Sequence, residues 1–335
     1  MKRKGSLLLI ICLLVAILTA CGAKSQTDVT KDLQEKVGKL QSYSAQATMT
    51  LQMGTEPQTY DVEVSYKKPE FYRVGLQNAK KEENQIILKN EEGVFVLTPA
   101  LNKSFKFQNE WPKNSSQAYL YESLVQDILK DEAAVFSETE TGYVFETKTR
   151  YQNNSMLPMQ IITFDKKELK PLSVKVLDTD RNEVVIVEFP SFTFDSSFDM
   201  NEFDVQKNMA TAQLEVTVMA PVTDDNFAVM YPTTSFGAEL ADEVTVQTAN
   251  GKRIVQTYEG ENTFTLIQEK SVVMPTNAPI VSNGQPVDLG FAIGELVNQA
   301  VMWTYQGVDY TLASDTLTSE QLVIVAQTMI AGAEK

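Results

Sequence analysis

The feature that most constrains the fold is a two-residue alternation of apolar and polar side chains. Tyr60, Val62, Val64 and Tyr66 alternate with polar residues, which predicts a strand with one buried and one solvated face. Further strands are predicted over 70–77, 84–90, 94–99, 103–108, 133–139, 142–150, 159–165, 171–178 and 183–194. Because the connections between them are short and polar or contain proline, the pattern predicts a large curved antiparallel sheet.

Two stretches before residue 204 have helical spacing instead. One is predicted over 28–42, with Asp28 as its N-cap. The other is predicted over 117–131, and its apolar stripe consists of Tyr121, Leu124, Val125 and Ile128. A sheet with one apolar face needs a cover, so we expect the helices to pack against that face.

The composition changes across 204–227, where a polar Thr223-Asp224-Asp225-Asn226 cluster follows Pro221, and we place a linker at 205–227. Strands are predicted near 243–248, 253–258, 262–268, 299–305 and 308–313, and Asn250-Gly251 predicts a hairpin between the first two. A final helix is predicted over 319–331, with a capping box formed by Thr318 and Gln321. Residues 228–335 are therefore expected to form a small α+β domain after a domain at 29–204.

The N-terminus has the pattern of an export signal. A basic Lys2-Arg3-Lys4 segment precedes an apolar run over 7–18, which is shorter than the roughly 20 apolar residues of a membrane span. Leu18-Thr19-Ala20-Cys21-Gly22 then resembles the lipobox of bacterial lipoproteins, in which the cysteine receives a diacylglycerol. We predict a signal peptide over 1–20, lipidation at Cys21 and a tether over 21–28; a plain signal peptide with a chance cysteine is the alternative.

Composition excludes several classes of function. The chain has no histidine, and of its two cysteines Cys12 lies inside the predicted signal peptide. Catalysis by serine-histidine or cysteine-histidine pairs and imidazole ligation of a metal are therefore excluded, and no cofactor is expected. The net charge of −15 argues against binding of nucleic acid and against a basic surface that binds anionic lipids.

Several segments follow one another in a characteristic order between about residues 30 and 204. They are the helix-to-strand junction Leu40-Gln41-Ser42-Tyr43-Ser44-Ala45, the segment Lys67-Lys68-Pro69-Glu70-Phe71-Tyr72-Arg73-Val74, and the hairpin segments 85–90 and 93–97. This succession resembles the LolA/LolB-like family of lipoprotein carriers. With a second part that contains Tyr231-Pro232 and Gly307-Val308-Asp309-Tyr310, the chain looks more narrowly like sporulation and germination lipoproteins that carry a LolA-like domain.

The resemblance implies an unclosed half-barrel whose concave apolar face is covered by helices and binds acyl chains or a hydrophobic partner. The candidate groove or lid residues are Lys68, Phe71, Phe95, Tyr121, Leu124, Val125 and Ile128. The carriers proper have an arginine where this chain has Lys68, and the predicted lipid anchor is a second departure. Handover of lipoproteins is therefore not implied.

The leading hypothesis is a non-enzymatic lipoprotein on the outer face of the bacterial cytoplasmic membrane. It would be held there by the diacylglycerol on Cys21 and would bind a lipid, an acylated protein or a protein partner, in sporulation or germination. One alternative is a scaffold that recruits a cell-wall enzyme while its own helix fills the groove. Another is a carboxylate-dependent cell-wall hydrolase.

Asp178 to Glu183 superficially resembles the start of a calcium loop, but Glu183 stands where such a loop needs glycine, so a hairpin turn is predicted.

Overall fold

The computed structural model describes residues 24–52, 57–78, 84–108, 111, 115–151, 154–215, 227–275 and 278–329. The predicted signal peptide and Cys21 lie outside these residues. No helix within the described ranges is both long enough and apolar enough to cross a membrane.

The first part of the chain forms two antiparallel meanders that join into one sheet. The strands are β1 Ser42–Leu51, β2 Gln58–Lys67, β3 Phe71–Asn78, β4 Asn84–Asn90, β5 Gly93–Thr98, β6 Lys103–Phe107, β7 Val135–Glu138, β8 Gly142–Lys148, β9 Met159–Asp165, β10 Pro171–Leu177 and β11 Glu183–Phe194. The first meander runs from β1 to β6 and the second from β7 to β11, and β1 pairs with β11. The chain therefore leaves one edge of the sheet at β6 and re-enters at the opposite edge at β7.

Helix α2 (Tyr121–Lys130) belongs to this crossover, and helix α1 (Gln26–Lys39) packs beside it. Both helices bury their apolar residues in the main core with the inward-facing side chains of the strands. Helix α1 begins three residues earlier than the predicted cap requires. Ser25 is the N-cap, and Asp28 occupies the third helical position, where it completes a capping box with Ser25.

The opposite face of the sheet carries a helix that the sequence analysis did not predict. Residues 205–215, which lie in the predicted linker, form helix α3 (Val205–Glu215). Its Val205, Met209 and Ala212 form a second apolar cluster with Ile86, Leu88, Phe95 and Leu97 of β4 and β5. The spacing of these three helical residues is that of one helix face, so the signal was present in the sequence.

The C-terminal part forms a second antiparallel sheet covered by a helix. Its strands are β12 Ala238–Thr248, β13 Gly251–Gly260, β14 Phe264–Lys270, β16 Gln285–Asp288, β17 Ile293–Val297, β18 Ala300–Tyr305 and β19 Val308–Ala313, in the order β12-β13-β14-β19-β18-β17-β16. Helix α4 (Ser319–Thr328) packs on β18 and β19 and has the predicted capping box of Thr318 and Gln321. The hairpin at Asn250-Gly251 is confirmed as well.

These observations confirm the predicted fold class, a curved, unclosed antiparallel sheet with helices on its concave face and a C-terminal α+β unit. The hairpin turn at Asp178 is also confirmed. Its carboxylate accepts hydrogen bonds from the backbone N–H groups of Asp180 and Asn182 and from the Asn182 side chain. These bonds hold the pKa of Asp178 below its usual value.

One short strand links the two sheets. Strand β15 (Ile280–Ser282), which belongs to the C-terminal part of the chain, pairs in parallel with β6 and becomes the edge of the first sheet. The main core is also continuous across the two sheets, since residues of both parts belong to one buried cluster. The domain boundary at 205–227 stays a prediction.

Candidate functional site

The concave face of the first sheet is filled by the protein's own side chains. Tyr121, Leu124, Val125 and Ile128 of α2, the four predicted lid residues, are all at most 3% exposed. Tyr121 packs edge-on against Phe164 and lies close to Phe192 of the sheet. Burial of such a side chain stabilises the fold by about 1.5–3 kcal/mol relative to exposure, so the helix is firmly held on the sheet.

The other three predicted groove residues lie elsewhere. Phe95 faces α3 on the outer side of the sheet, and Phe71 packs against Phe203 on the outer side as well, with ring centroids 5.5 Å apart. Lys68 is exposed in the turn between β2 and β3, where its backbone N–H donates to the carbonyl of Gln41. These three residues therefore do not line the concave face. Strand periodicity groups alternate residues correctly, but it does not say which group faces inward.

A half-buried carboxylate lies at one end of the filled face. Glu122 Oε2 accepts a hydrogen bond from Tyr43 Oη at 3.0 Å, and its Oε1 accepts one from Tyr72 Oη at 3.1 Å. Tyr66 lies between these two tyrosines, because the three occupy paired positions on β1, β2 and β3. Burial raises the pKa of Glu122 to about 7, although the two hydroxyl groups oppose the shift.

A second buried acid ties the end of α2 to the sheet. The side chain of Asp127 is fully buried and is paired with Arg150, while Ser116 Oγ and Gln160 Nε2 donate to it at 2.8 and 2.6 Å. Burial raises the pKa of Asp127, and the Arg150 guanidinium opposes that shift. Three donors converge on one carboxylate, so this cluster anchors the helix.

Polar contacts also join the two sheets. Lys103 of β6 forms an ion pair with Asp309 of β19, with 2.7 Å between Nζ and Oδ2. Gln85 Oε1 accepts a hydrogen bond from the Ile293 backbone N–H, and Tyr119 Oη lies 3.1 Å from Asp288 Oδ2. The C-terminal unit thus contacts both the sheet and the crossover segment.

Glu122, Asp127 and Lys103 were not predicted as site residues. A weak signal existed for the first, because Glu122 directly follows Tyr121 at the border of the predicted apolar stripe. The partners of the other two come from distant parts of the chain. Across the residues that the structure describes, no three acidic or cysteine side chains are grouped as around a metal ion.

Comparison with known proteins identifies the family. The family model described as "Sporulation protein YdcC-like" matches residues 3–203. "Sporulation protein YdcC" of Bacillus subtilis (strain 168) is 52% identical over 329 residues, which is 98% of this chain and 97% of that protein. The chain belongs to the YdcC-like sporulation protein family.

Solved structures with similar folds are more distant from this YdcC-like protein. A chain of the MucA/MucB complex of Pseudomonas aeruginosa matches with a TM-score of 0.34 at 10% identity, and the match covers 88% of this chain and 97% of that chain. A LolA superfamily protein of Nitrosomonas europaea has a TM-score of 0.29 at 11% identity and covers 53% and 98%. The structure of the CwlD amidase of Clostridioides difficile in complex with the GerS lipoprotein has a TM-score of 0.24 at 16% identity. That match covers 53% of this chain and 98% of the matched chain. Values this low support no argument about function.

Proposed function

We propose that this YdcC-like protein is a lipid-anchored, non-catalytic protein of the sporulating cell envelope that acts by binding a protein partner. The lipobox at Cys21 supports the anchor, and the family supports the setting. The observation that supports this form of the function best is the buried stripe of α2. Since Tyr121, Leu124, Val125 and Ile128 already occupy the concave face, a partner would bind on the outside.

The exposed apolar residues suggest where that partner binds. Six of the nine large apolar side chains that are exposed in the described residues lie within 244–281, namely Val244, Val246, Val272, Val273, Ile280 and Val281. Val244 and Val246 are two residues apart on β12, so they lie on the same face of that strand. Exposed apolar side chains on one face commonly mark interaction surfaces. Strand β12 also lies at an edge of its sheet, where backbone N–H and C=O groups are available to an added strand.

Photo-crosslinking in sporulating cells tests the binding function. A photoreactive amino acid at Val246 or Val273 is expected to capture one envelope protein, and the same group at the exposed Leu172 of the first sheet serves as the matched control. Native mass spectrometry of the purified protein gives a second readout. Partner binding would be contradicted if no protein is captured at either position and a phospholipid is recovered with every preparation. That result would favour an acyl carrier.

Mass analysis of protein extracted from membranes tests the anchor. We expect an N-terminus at Cys21 carrying a diacylglycerol, and we expect Cys21→Ser to move the protein into the soluble fraction. An unmodified N-terminus in the native protein would remove the anchoring part of the proposal. Loss of function in Glu122→Gln with folding intact would instead revive a carboxylate-dependent hydrolase.

A further inference from the structure

A cavity of about 220 Å³ lies where the two sheets meet. One wall comes from the first sheet, with Val96 of β5 and Phe105 and Phe107 of β6. The other wall comes from the C-terminal sheet, with Met302, Trp303 and Thr311. The surface of the cavity is therefore mainly apolar, and it exists only when the two sheets are together.

The polar groups at the cavity are already hydrogen-bonded to one another. Lys103 Nζ contacts Ser271 Oγ at 2.5 Å and the two carboxylate oxygens of Asp309 at 2.8 and 2.7 Å. Thr304 Oγ1 donates to Asp309 Oδ1 at 2.6 Å. The Glu295 carboxylate also accepts a hydrogen bond, from Ser282 Oγ. The lining thus has one ammonium group and two carboxylates, so it does not favour an anionic ligand.

The apolar wall continues to the protein surface. Met302 is paired with Thr311 across β18 and β19, Thr311 with Ile267 on β14, and Ile267 with Val255 on β13. Val255 is paired with Val244 on the edge strand, and Val244 is 44% exposed. Residues that are directly opposite in an antiparallel sheet lie on the same face. This row leads from the cavity to solvent along one face of the C-terminal sheet.

From these observations we propose that the cavity between the sheets is a binding site for a small, uncharged apolar molecule or for a short uncharged alkyl chain. Its volume exceeds the roughly 150 Å³ of an engineered apolar cavity that binds benzene in another protein. An alcohol of about eight carbons matches the chemistry of the site, because its chain fits the apolar walls and its hydroxyl group carries no charge. This site is separate from the proposed partner surface, and either can fail while the other stands.

Quenching of Trp303 fluorescence tests the site, because Trp303 lines the cavity and is one of two tryptophans in the chain. The protein from residue 22 to residue 335 keeps every described element, and Trp111→Phe in that protein leaves Trp303 as the sole reporter. The probe is 8-bromooctan-1-ol, whose bromine quenches an indole at short range. We expect saturable quenching, and we expect 8-bromooctanoate to bind at least tenfold more weakly because of Glu295 and Asp309.

Two substitutions separate the cavity from the surrounding sheet. Thr311→Phe places a ring in the cavity and is expected to weaken binding of the bromoalcohol at least tenfold. Thr257→Phe is the matched control, because Thr257 lies on the same face of the same sheet and does not line the cavity, so its affinity should equal that of the parent protein. Val96→Phe fills the cavity from the other wall and gives a second test if Thr311→Phe does not fold.

The proposal is overturned if the bromoalcohol does not quench Trp303 saturably. It is also overturned if a folded cavity-filling variant binds as well as the control, or if the carboxylate binds as tightly as the alcohol. A further arm identifies the source of the chain. Phosphatidylcholine vesicles with brominated acyl chains are expected to quench Trp303 if the ligand is a membrane lipid tail, whereas quenching by the soluble alcohol alone indicates a free small molecule.

Discussion

At the scale of single residues, the two acids of α2 show how position within one helix decides the behaviour of a side chain. Glu122 has two tyrosine hydroxyls as partners, and its pKa rises to about 7. Asp127, five residues later, has a guanidinium partner, which opposes the effect of burial on its pKa. Neither environment can be read from the helix alone, because their partners lie on other elements.

Glu122 should make the stability of the protein depend on pH. Its pKa in the folded state is about 7 and its ordinary value is 4.5, so the folded state holds the proton more tightly. The resulting stabilisation is complete below pH 4.5, is lost as the pH rises to about 7, and stays lost above it. We therefore compare the free energy of unfolding of Glu122→Gln with that of wild type at each pH. The difference between the two should shift by about 3 kcal/mol in favour of the variant as the pH rises from 4 to 8.

Urea unfolding at a series of pH values measures this difference. Glu140→Gln is the control, because it removes one carboxylate from an exposed side chain outside this cluster. If Glu122→Gln followed the same pH dependence as wild type, the raised pKa of Glu122 would be refuted.

Arg150 should matter far more than an arginine in a surface ion pair. Arg150→Ala leaves the fully buried Asp127 carboxylate without its cation, which should cost about 3–5 kcal/mol in the free energy of unfolding. The matched control is Arg181→Ala, because Arg181 is 59% exposed in its pair with Glu146 and its loss should lower the free energy of unfolding far less. Equal losses for the two variants in urea unfolding would contradict the anchoring role of Asp127.

At the scale of elements, the position of α2 follows from the topology of the sheet. The first meander ends at one edge and the second begins at the opposite edge, so the connection has to pass over a face. The concave face is the one that needs an apolar cover, and α2 has the apolar stripe to supply it. The same logic places α3 over β4 and β5, where Ile86 and Phe95 leave an apolar patch on the outer face.

The lid helix can be tested by truncating one buried side chain. Leu124→Ala should lower the free energy of unfolding by about 2–5 kcal/mol, because Leu124 has no exposed surface and the loss leaves a cavity under the helix. Leu172→Ala is the control, since Leu172 is 36% exposed and its loss should change stability by about 0.5 kcal/mol or less. A loss below about 1 kcal/mol for Leu124→Ala in urea unfolding would mean that α2 is loosely packed.

At the scale of the whole molecule, the two sheets are joined by a common core and by an ion pair. Strand β15 completes the edge of the first sheet, and Lys103 pairs with Asp309 across the junction. A unit that depends on such contacts is expected to unfold together with its neighbour. The single tryptophan in each part, Trp111 and Trp303, can report on this directly.

We therefore predict coincident unfolding of the two parts. Trp303→Phe leaves Trp111 as the reporter of the first part, and Trp111→Phe leaves Trp303 as the reporter of the second. Circular dichroism follows the whole molecule and measures how far each substitution itself shifts the urea midpoint. After that shift is subtracted, the fluorescence midpoints of the two variants should coincide. Two separate transitions within one variant would show that the parts fold independently.

The local patterns of the sequence predicted most elements, because the period of side-chain burial differs between strands and helices. Strands such as β9 and β11 have the predicted bounds, and the stripe of α2 lies where the spacing placed it. The spacing gave no bounds for strand β1, and only the resemblance placed a first strand after the junction at 40–45. The strands β15, β16 and β17 were not predicted. They are short, from three to five residues, so they contain too few alternations to stand out.

Only the tertiary structure decided which side of each strand faces inward, as Phe71 and Phe95 show. It also decided the partners of Glu122, Asp127 and Lys103, and the cavity between the sheets. The physical reason is the distance along the chain over which each effect acts. Burial periodicity and capping are set by neighbours a few residues apart, so the sequence by itself determined most of the elements and the fold class. The environment of a buried charge or a cavity depends on residues that are far apart in the chain, such as Lys103 and Asp309, and that come together only when the sheets close.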